Sequence, residues 1–212
     1  MFDEVWQRFL AAPTTLGPTP GVREAWHRGR PRYAVWALRV EEAPIRARAA
    51  ALADHLAPHG VLPFRDPHIT VFVAGFPTAV PLADDDVAEH VLAAQVDALR
   101  ACRLPPPRLA VGGLNAFLSC PVLEVLDPHG DLARLRAPLA ALHPEIRFAP
   151  YLPHLTVGTF GDTRPTAPVA AAVAPFRGLP PLPLAPRAVD LVSFDADDVG
   201  GPLHTLASVP LR

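Results

Sequence analysis

The sequence predicts an α+β protein of two similar lobes, each an antiparallel sheet with helices on its outer face, facing one another across a central cleft. Two observations carry this. The stretch "PHITV" at residues 67–71 returns as "PHLTV" at residues 153–157, with histidine and threonine in the same places. Around each copy runs the same order of patterns: helix, H-x-T strand, helix, Pro-rich connector, strand pair. Even the connectors rhyme, since Pro107 and Arg108 lead into "LAV" and Pro186 and Arg187 lead into "AVDLV". A chain of 212 residues holds one substantial core, or two small lobes sharing one. The expected division is an N-terminal helical extension over 1–31 and a bilobal domain over 32–212.

Taken in order, Phe2, Val5, Trp6, Phe9 and Leu10 recur at helical spacing, so a short amphipathic helix opens the chain and ends near Pro13. A loop rich in Thr, Gly and Pro follows. "RYAVWALRV" (32–40) has the β-branched and aromatic content of a buried strand, and Ile45, Ala49, Leu52, Ala53 and Leu56 trace one face of a helix. "HITVFVAGF" is the next strand. Asp84, Asp85 and Asp86 precede a helical pattern through Val87, Val91, Leu92, Val96 and Leu99, and are read as its cap rather than as metal ligands. "LPPPRLAV" (104–111) leads into an apolar stretch that divides into two strands near 112–115 or 119–121. Asp127 and Pro128 signal a helix start ahead of Leu132, Leu135, Leu139 and Leu142. "YLPHLTVGTF" is again a strand, an Ala-rich helix lies between Pro165 and Pro175, and "PRAVDLVSF" and "HTLASVPL" close the chain as strands.

Composition narrows the function classes. Half the residues are apolar and the formal net charge is −2, so any handling of RNA does not rest on overall positive charge. Every basic residue is Arg, which excludes Schiff-base chemistry on lysine. Cys102 and Cys120 are too few for a disulfide framework or a zinc site. Asp3 and Glu4 stand where a signal peptide would carry positive charge, and no apolar run reaches membrane-spanning length, so a cytoplasmic protein is expected. No H-E-x-x-H, C-x-x-C, G-x-S-x-G or P-loop spacing occurs, and no cofactor or metal is called for.

The repeated pentapeptide carries the chemistry. On a strand, His68 and Thr70 share one face while Ile69, Val71 and Val73 share the other; His154 and Thr156 share a face opposite Leu155 and Val157. The apolar faces pack on helices, so each His/Thr pair lies on the uncovered face of its sheet. Two imidazoles suit a phosphodiester, one taking a proton and one delivering it, because an unperturbed pKa of ~6.5 permits both states near neutrality. Threonine hydroxyls can donate to non-bridging phosphoryl oxygens.

Two H-x-T motifs in a duplicated α+β chain of this length resemble the two-histidine (2H) phosphoesterase superfamily, in its branch labelled 2′-5′ RNA ligase-like or RNA 2′,3′-cyclic phosphodiesterase. The resemblance covers residues 32–212. It implies that His68 and His154 are the general acid and base, that Thr70 and Thr156 hold the phosphate, and that the partners are RNA ends or small nucleotides bearing a 2′,3′-cyclic phosphate, handled by a monomer without metal. Many bacterial members place arginine three residues after the motif threonine; here those positions are Val73 and Thr159. The phosphate's positive charge must then come from elsewhere, with Arg65, Arg164 and Arg32 as candidates.

Further pocket candidates are Phe72, which strand alternation sets beside His68 and Thr70, together with Tyr33, Phe117 and Tyr151. His27, His55, His59, His90, His129 and His143 read as solvated. The N-terminal helix is expected to cover an apolar patch or a cleft edge. Two alternatives stay open: a module that binds a nucleotide or phosphorylated metabolite without turnover, and a phosphodiesterase for a non-RNA substrate.

Overall fold

The computed structural model describes residues 1–146 and 150–212. In chain order the elements are α1 (Phe2–Ala11), α2 (Val22–His27), β1 (Arg32–Arg39), α3 (Ala43–Leu56), β2 (Val61–Pro63), β3 (His68–Thr78), β4 (Asp86–Ala88), α4 (Glu89–Cys102), β5 (Leu109–Ala116), β6 (Pro121–Leu126), α5 (Asp131–Ala140), β7 (His154–Thr156), β8 (Gly158–Phe160), α6 (Thr166–Val173), β9 (Leu182–Leu184), β10 (Ala188–Asp195) and β11 (His204–Pro210).

The main sheet runs β11-β10-β1-β3-β7-β6-β5-β9, with β4 added in parallel to β3. One lobe is therefore built on β3, with β1, β10 and β11, and the other on β7, with β6, β5 and β9. Each strand pair has crossed over. The pair that follows the first H-x-T strand in sequence joins the lobe of the second, and the pair that follows the second joins the lobe of the first. The lobes meet edge to edge where Ile69 pairs with Leu155. Beside this seam β2 pairs with β8 in a separate two-stranded ladder.

The helix side of the sheet forms one core across both lobes, including Trp36, Ile69, Val71, Phe72, Leu123, Leu155 and Val169. Trp36 satisfies its indole N–H within this core by donating to Gln95 Oε1 at 2.9 Å. The opposite face of the first lobe carries a smaller cluster of Tyr33, Val35, Ala37, Phe76, Val192 and Ala196, with Trp26 and Leu203 packed on it.

The strand after the first motif departs from simple alternation. Trp36 stands opposite Phe72 and Ala37 opposite Thr70, so Val71 is an extra residue in the ladder, a β-bulge. The bulge sends both Val71 and Phe72 to the helix side, and Val73 back to the cleft side. Beyond Ile69 the edge of β3 facing the second lobe is bonded by several side chains and by the Ile146 N–H, which donates to the Val73 carbonyl at 3.1 Å. Arg136 donates to the Val71 carbonyl at 2.6 Å, Tyr151 Oη to the Thr70 carbonyl at 3.1 Å, and the Val73 N–H to Glu145 Oε1 at 3.0 Å.

Three local readings change. The Asp84 to Asp86 run does not cap α4, which starts at Glu89 with Ala88 at its N-cap and no side-chain cap. Asp85 instead receives Arg28 and Arg30, and Asp86 receives Arg30 together with the N–H groups of Leu82 and Ala83. Those arginines come from the segment preceding β1, which contains α2 as well as α1. This segment touches both lobes. Leu16 N–H donates to the Leu118 carbonyl at 2.7 Å and Thr15 N–H to that of Arg164 at 2.8 Å, while Arg23 donates to the Asp197 carbonyl at 2.6 Å. Trp26 packs on Tyr33 and Phe76. His27 is buried, with Nε2 3.0 Å from Asp197, and so is not a solvated histidine. The helix start signalled by Asp127 and Pro128 comes later, at Asp131 after Gly130, although the Asp127 carboxylate still accepts the N–H groups of Asp131 and Leu132. Among the described residues no helix is long and apolar enough to cross a membrane.

Candidate active site

The seam between the lobes places both motifs side by side. Because Ile69 pairs with Leu155 in antiparallel register, His68 stands against Thr156 and Thr70 against His154, about 5 Å apart at Cα for directly opposed residues. The two histidines lie on a diagonal of the same face, a separation of roughly 7–8 Å in such a ladder. Two rows of side chains thus cross the seam. One reads Asp190, Ala37, Thr70, His154, Glu124; the other reads Arg39, His68, Thr156, Val122, Asn115.

The two imidazoles are oriented by the same device. His68 Nδ1 lies 2.8 Å from the carbonyl of Asp66, and His154 Nδ1 lies 2.7 Å from that of Leu152. A carbonyl only accepts, so Nδ1 carries the hydrogen in each case and the neutral ring has its lone pair on Nε2. Each ring also has an aromatic neighbour, Phe64 at 6.0 Å from His68 and Phe117 at 5.0 Å from His154 in an edge-on arrangement.

Their charged surroundings differ. Burial pushes the His68 imidazole below the ordinary histidine value; the bond to the Asp66 carbonyl works against this, and the Arg39 guanidinium adds to the lowering. Arg39 is itself held on the sheet, donating from Nε to Asp190 at 3.2 Å and from an amino group to Thr205 Oγ1 at 2.8 Å, with Ser208 Oγ donating to Asp190 at 2.6 Å. Beside His154 stands a carboxylate instead, Glu124, which accepts from Asn115 Nδ2 at 2.7 Å. That same Asn115 amide reaches the Phe2 carbonyl at 3.1 Å, so the start of α1 abuts this row. Sequence reading missed Arg39 and Glu124. The alternation of β1 sets Arg39 on the face of Tyr33, but only the cross-strand register sets it next to His68.

The remaining candidates separate. Phe117 joins the site through His154. Arg65 is exposed and paired with Asp198 at 3.3 Å, and it lines a cavity of about 200 Å³ with Arg46 and Thr156. Phe72 does not share the His/Thr face: the bulge turns it into the core, where it is fully buried. Tyr33 lies on that face but is closed off by Trp26, Phe76 and Phe194, and is only 8% exposed. Tyr151 spends its hydroxyl on the Thr70 carbonyl and its ring on Arg136, 3.8 Å away, so it braces the motif strand from the side. Arg164 pairs with exposed Asp162. Burial pushes the Cys120 thiol up to about 11, which leaves no thiolate near the site at neutral pH. Among the described residues no group of three His, Cys, Asp or Glu side chains is arranged to hold a metal ion.

A family model described as the 2′-5′ RNA ligase superfamily matches residues 40–198. The chain belongs to the 2′-5′ RNA ligase superfamily. It shares the fold of the 2H phosphoesterases, an enzyme superfamily of phosphoesterases and ligases. Escherichia coli LigT in apo form is 18% identical, with a TM-score of 0.57 over 86% of this chain and 99% of that one. LigT complexed with 3′-AMP is 19% identical, with a TM-score of 0.61 over 85% and 98%. TT0787 of Thermus thermophilus is 16% identical, with a TM-score of 0.54 over the same shares. No curated protein matches. The family model begins at the end of β1 and stops before β11, so α1 and α2 lie outside it.

Proposed function

We propose that this protein is a metal-independent phosphodiesterase that opens 2′,3′-cyclic phosphates on RNA ends or small nucleotides, as a cytoplasmic monomer. The observation that carries the reading is the pairing of Ile69 with Leu155, which sets two histidines and two threonines on one face of adjacent strands. The LigT structures with 3′-AMP and with ATP add that relatives of this fold accept nucleotides.

The two charged neighbours support one division of the roles. His68, kept neutral by burial and by Arg39, takes a proton from water on Nε2 as the water oxygen attacks phosphorus. His154, beside the Glu124 carboxylate, carries the proton that goes to the departing ribose oxygen as the P–O bond breaks, leaving a phosphomonoester. Thr70 and Thr156 donate to the non-bridging oxygens, whose charge grows in the transition state. Arg39 supplies the positive charge that Val73 and Thr159 do not.

The test is turnover of 2′,3′-cyclic nucleotides in EDTA, with His68→Ala and His154→Ala alongside and the 2′- and 3′-monophosphates resolved. Turnover is expected to survive EDTA and to fall by about 10²- to 10⁴-fold in each variant. A folded wild type that binds nucleotide saturably and yields no product selects the binding-module reading. A cyclic-ended oligonucleotide that gains nothing over the mononucleotide argues for a non-RNA substrate.

A further inference from the structure

Between the N-terminal segment and the two lobes lies a cavity of about 730 Å³ that the histidine chemistry leaves unused. Three stretches of chain wall it. Residues 16–26 contribute Leu16, Val22, Arg23 and Trp26; the second lobe contributes Ser119 and Thr159; the β10–β11 loop contributes Val199. The last two walls each connect to a motif histidine through an aromatic ring. Ser119 lies in the turn closed by the Phe117 N–H on the Cys120 carbonyl at 2.9 Å, and the Phe117 ring is the one beside His154. Val199 precedes Gly200, which faces the Phe64 ring so closely that an added Cβ would lie 3.2 Å from it, and Phe64 is the ring beside His68. Thr159 follows Thr156 by three residues.

We infer that this cavity is the nucleoside pocket of the enzyme, holding the base of the nucleotide whose phosphate sits on the H-x-T pair. The inference rests on the phosphodiesterase reading above. The volume falls in the range of small-molecule sites, about 300–1,000 Å³. Apolar surface dominates its lining, and the polar groups are Thr19, Arg23, Glu24, Ser119, Thr159 and Asp197, a set of donors and acceptors that suits the flat apolar faces and hydrogen-bonding edge of a nucleobase. An indole and a guanidinium on one wall both stack on π-systems. That wall is held from both sides, by Leu16 on Leu118 and by Arg23 on Asp197, with Trp26 seated on Tyr33 and Phe76. Because residues 16–26 lie outside the stretch that the family model matches, this pocket makes base preference depend on the N-terminal segment.

Two filling variants test this from opposite walls, Val22→Phe and Ser119→Phe; Val22 and Ser119 are both exposed at the protein surface. Each is assayed with a 2′,3′-cyclic nucleotide and with glycerol 1,2-cyclic phosphate, which presents the same strained phosphodiester without a base. Each is expected to cut the preference for the nucleotide at least tenfold, through KM, with a larger change for purine than for pyrimidine. An equal effect on both substrates, or none on either, overturns the assignment. Binding is read independently through Trp26. Adenosine, which lacks phosphate, is expected to quench wild-type tryptophan fluorescence saturably and to lose that effect in Val22→Phe. Absence of quenching sinks the pocket, whereas quenching without any turnover retains it and sinks the phosphodiesterase reading instead.

Discussion

The two H-x-T strands are nearly identical in sequence and stand in opposite electrostatic company. Across the ladder from His68 is the guanidinium of Arg39; across from His154 is the carboxylate of Glu124. The orienting bonds are the same in both lobes, a carbonyl two residues upstream holding Nδ1. Duplication therefore supplied two equivalent tools, and the neighbouring strands made them different. The proposed opening of a cyclic phosphodiester uses that difference, because one ring must arrive without a proton and the other with one.

The largest effects should come from the features the lobes share. Thr70→Val and Thr156→Val each remove one proposed donor to the phosphoryl oxygens while keeping the shape, and each is expected to lower kcat by about 10²-fold or more. Unequal losses would show that the phosphate leans on one lobe, and a variant with full kcat would remove that threonine from the site.

Next come the features that differ. In the proposed roles His68 acts as the neutral ring, and its value is held below the usual one, so the acid limb of the kcat/KM profile should lie below pH ~6.5. Arg39→Gln is expected to move that limb upward and to cost about tenfold in rate through the lost positive charge. Glu124→Gln should leave that acid limb in place. If both variants shift the same limb, the assignment of base and acid falls.

The smallest effect is on stability. The folded state holds His68 below its unfolded value near 6.5, so unfolding takes up a proton as the pH drops. The stability that His68 contributes is complete above ~6.5 and is lost as pH falls through the folded value, with a slope of at most ~1.4 kcal/mol per pH unit. His68→Gln should flatten this component in urea melts at pH 5, 6.5 and 8, whereas an unchanged slope would mean that other groups carry it.

Much of this site was legible in the chain because it is written in local pattern. A period of two places His68 with Thr70 and His154 with Thr156 whatever surrounds them. The same rule failed two residues later at Phe72, where a bulge flips the phase, and a bulge depends on the partner strand. The aspartate run at 84–86 looked like a helix cap for an equally local reason. Arg28 and Arg30, more than fifty residues upstream, claimed it instead.

By itself, then, the sequence determined that there are two H-x-T strands, their helices and which side chains each strand presents, since periodicity and turn chemistry act between near neighbours. Only the tertiary structure decided which strand pair completes which lobe, that Arg39 and Glu124 flank the histidines, and that the N-terminal segment walls a cavity beside them. Those outcomes rest on contacts between residues far apart in the chain, chosen by which sheet edges and apolar faces fit one another, and no short-range pattern encodes such a choice.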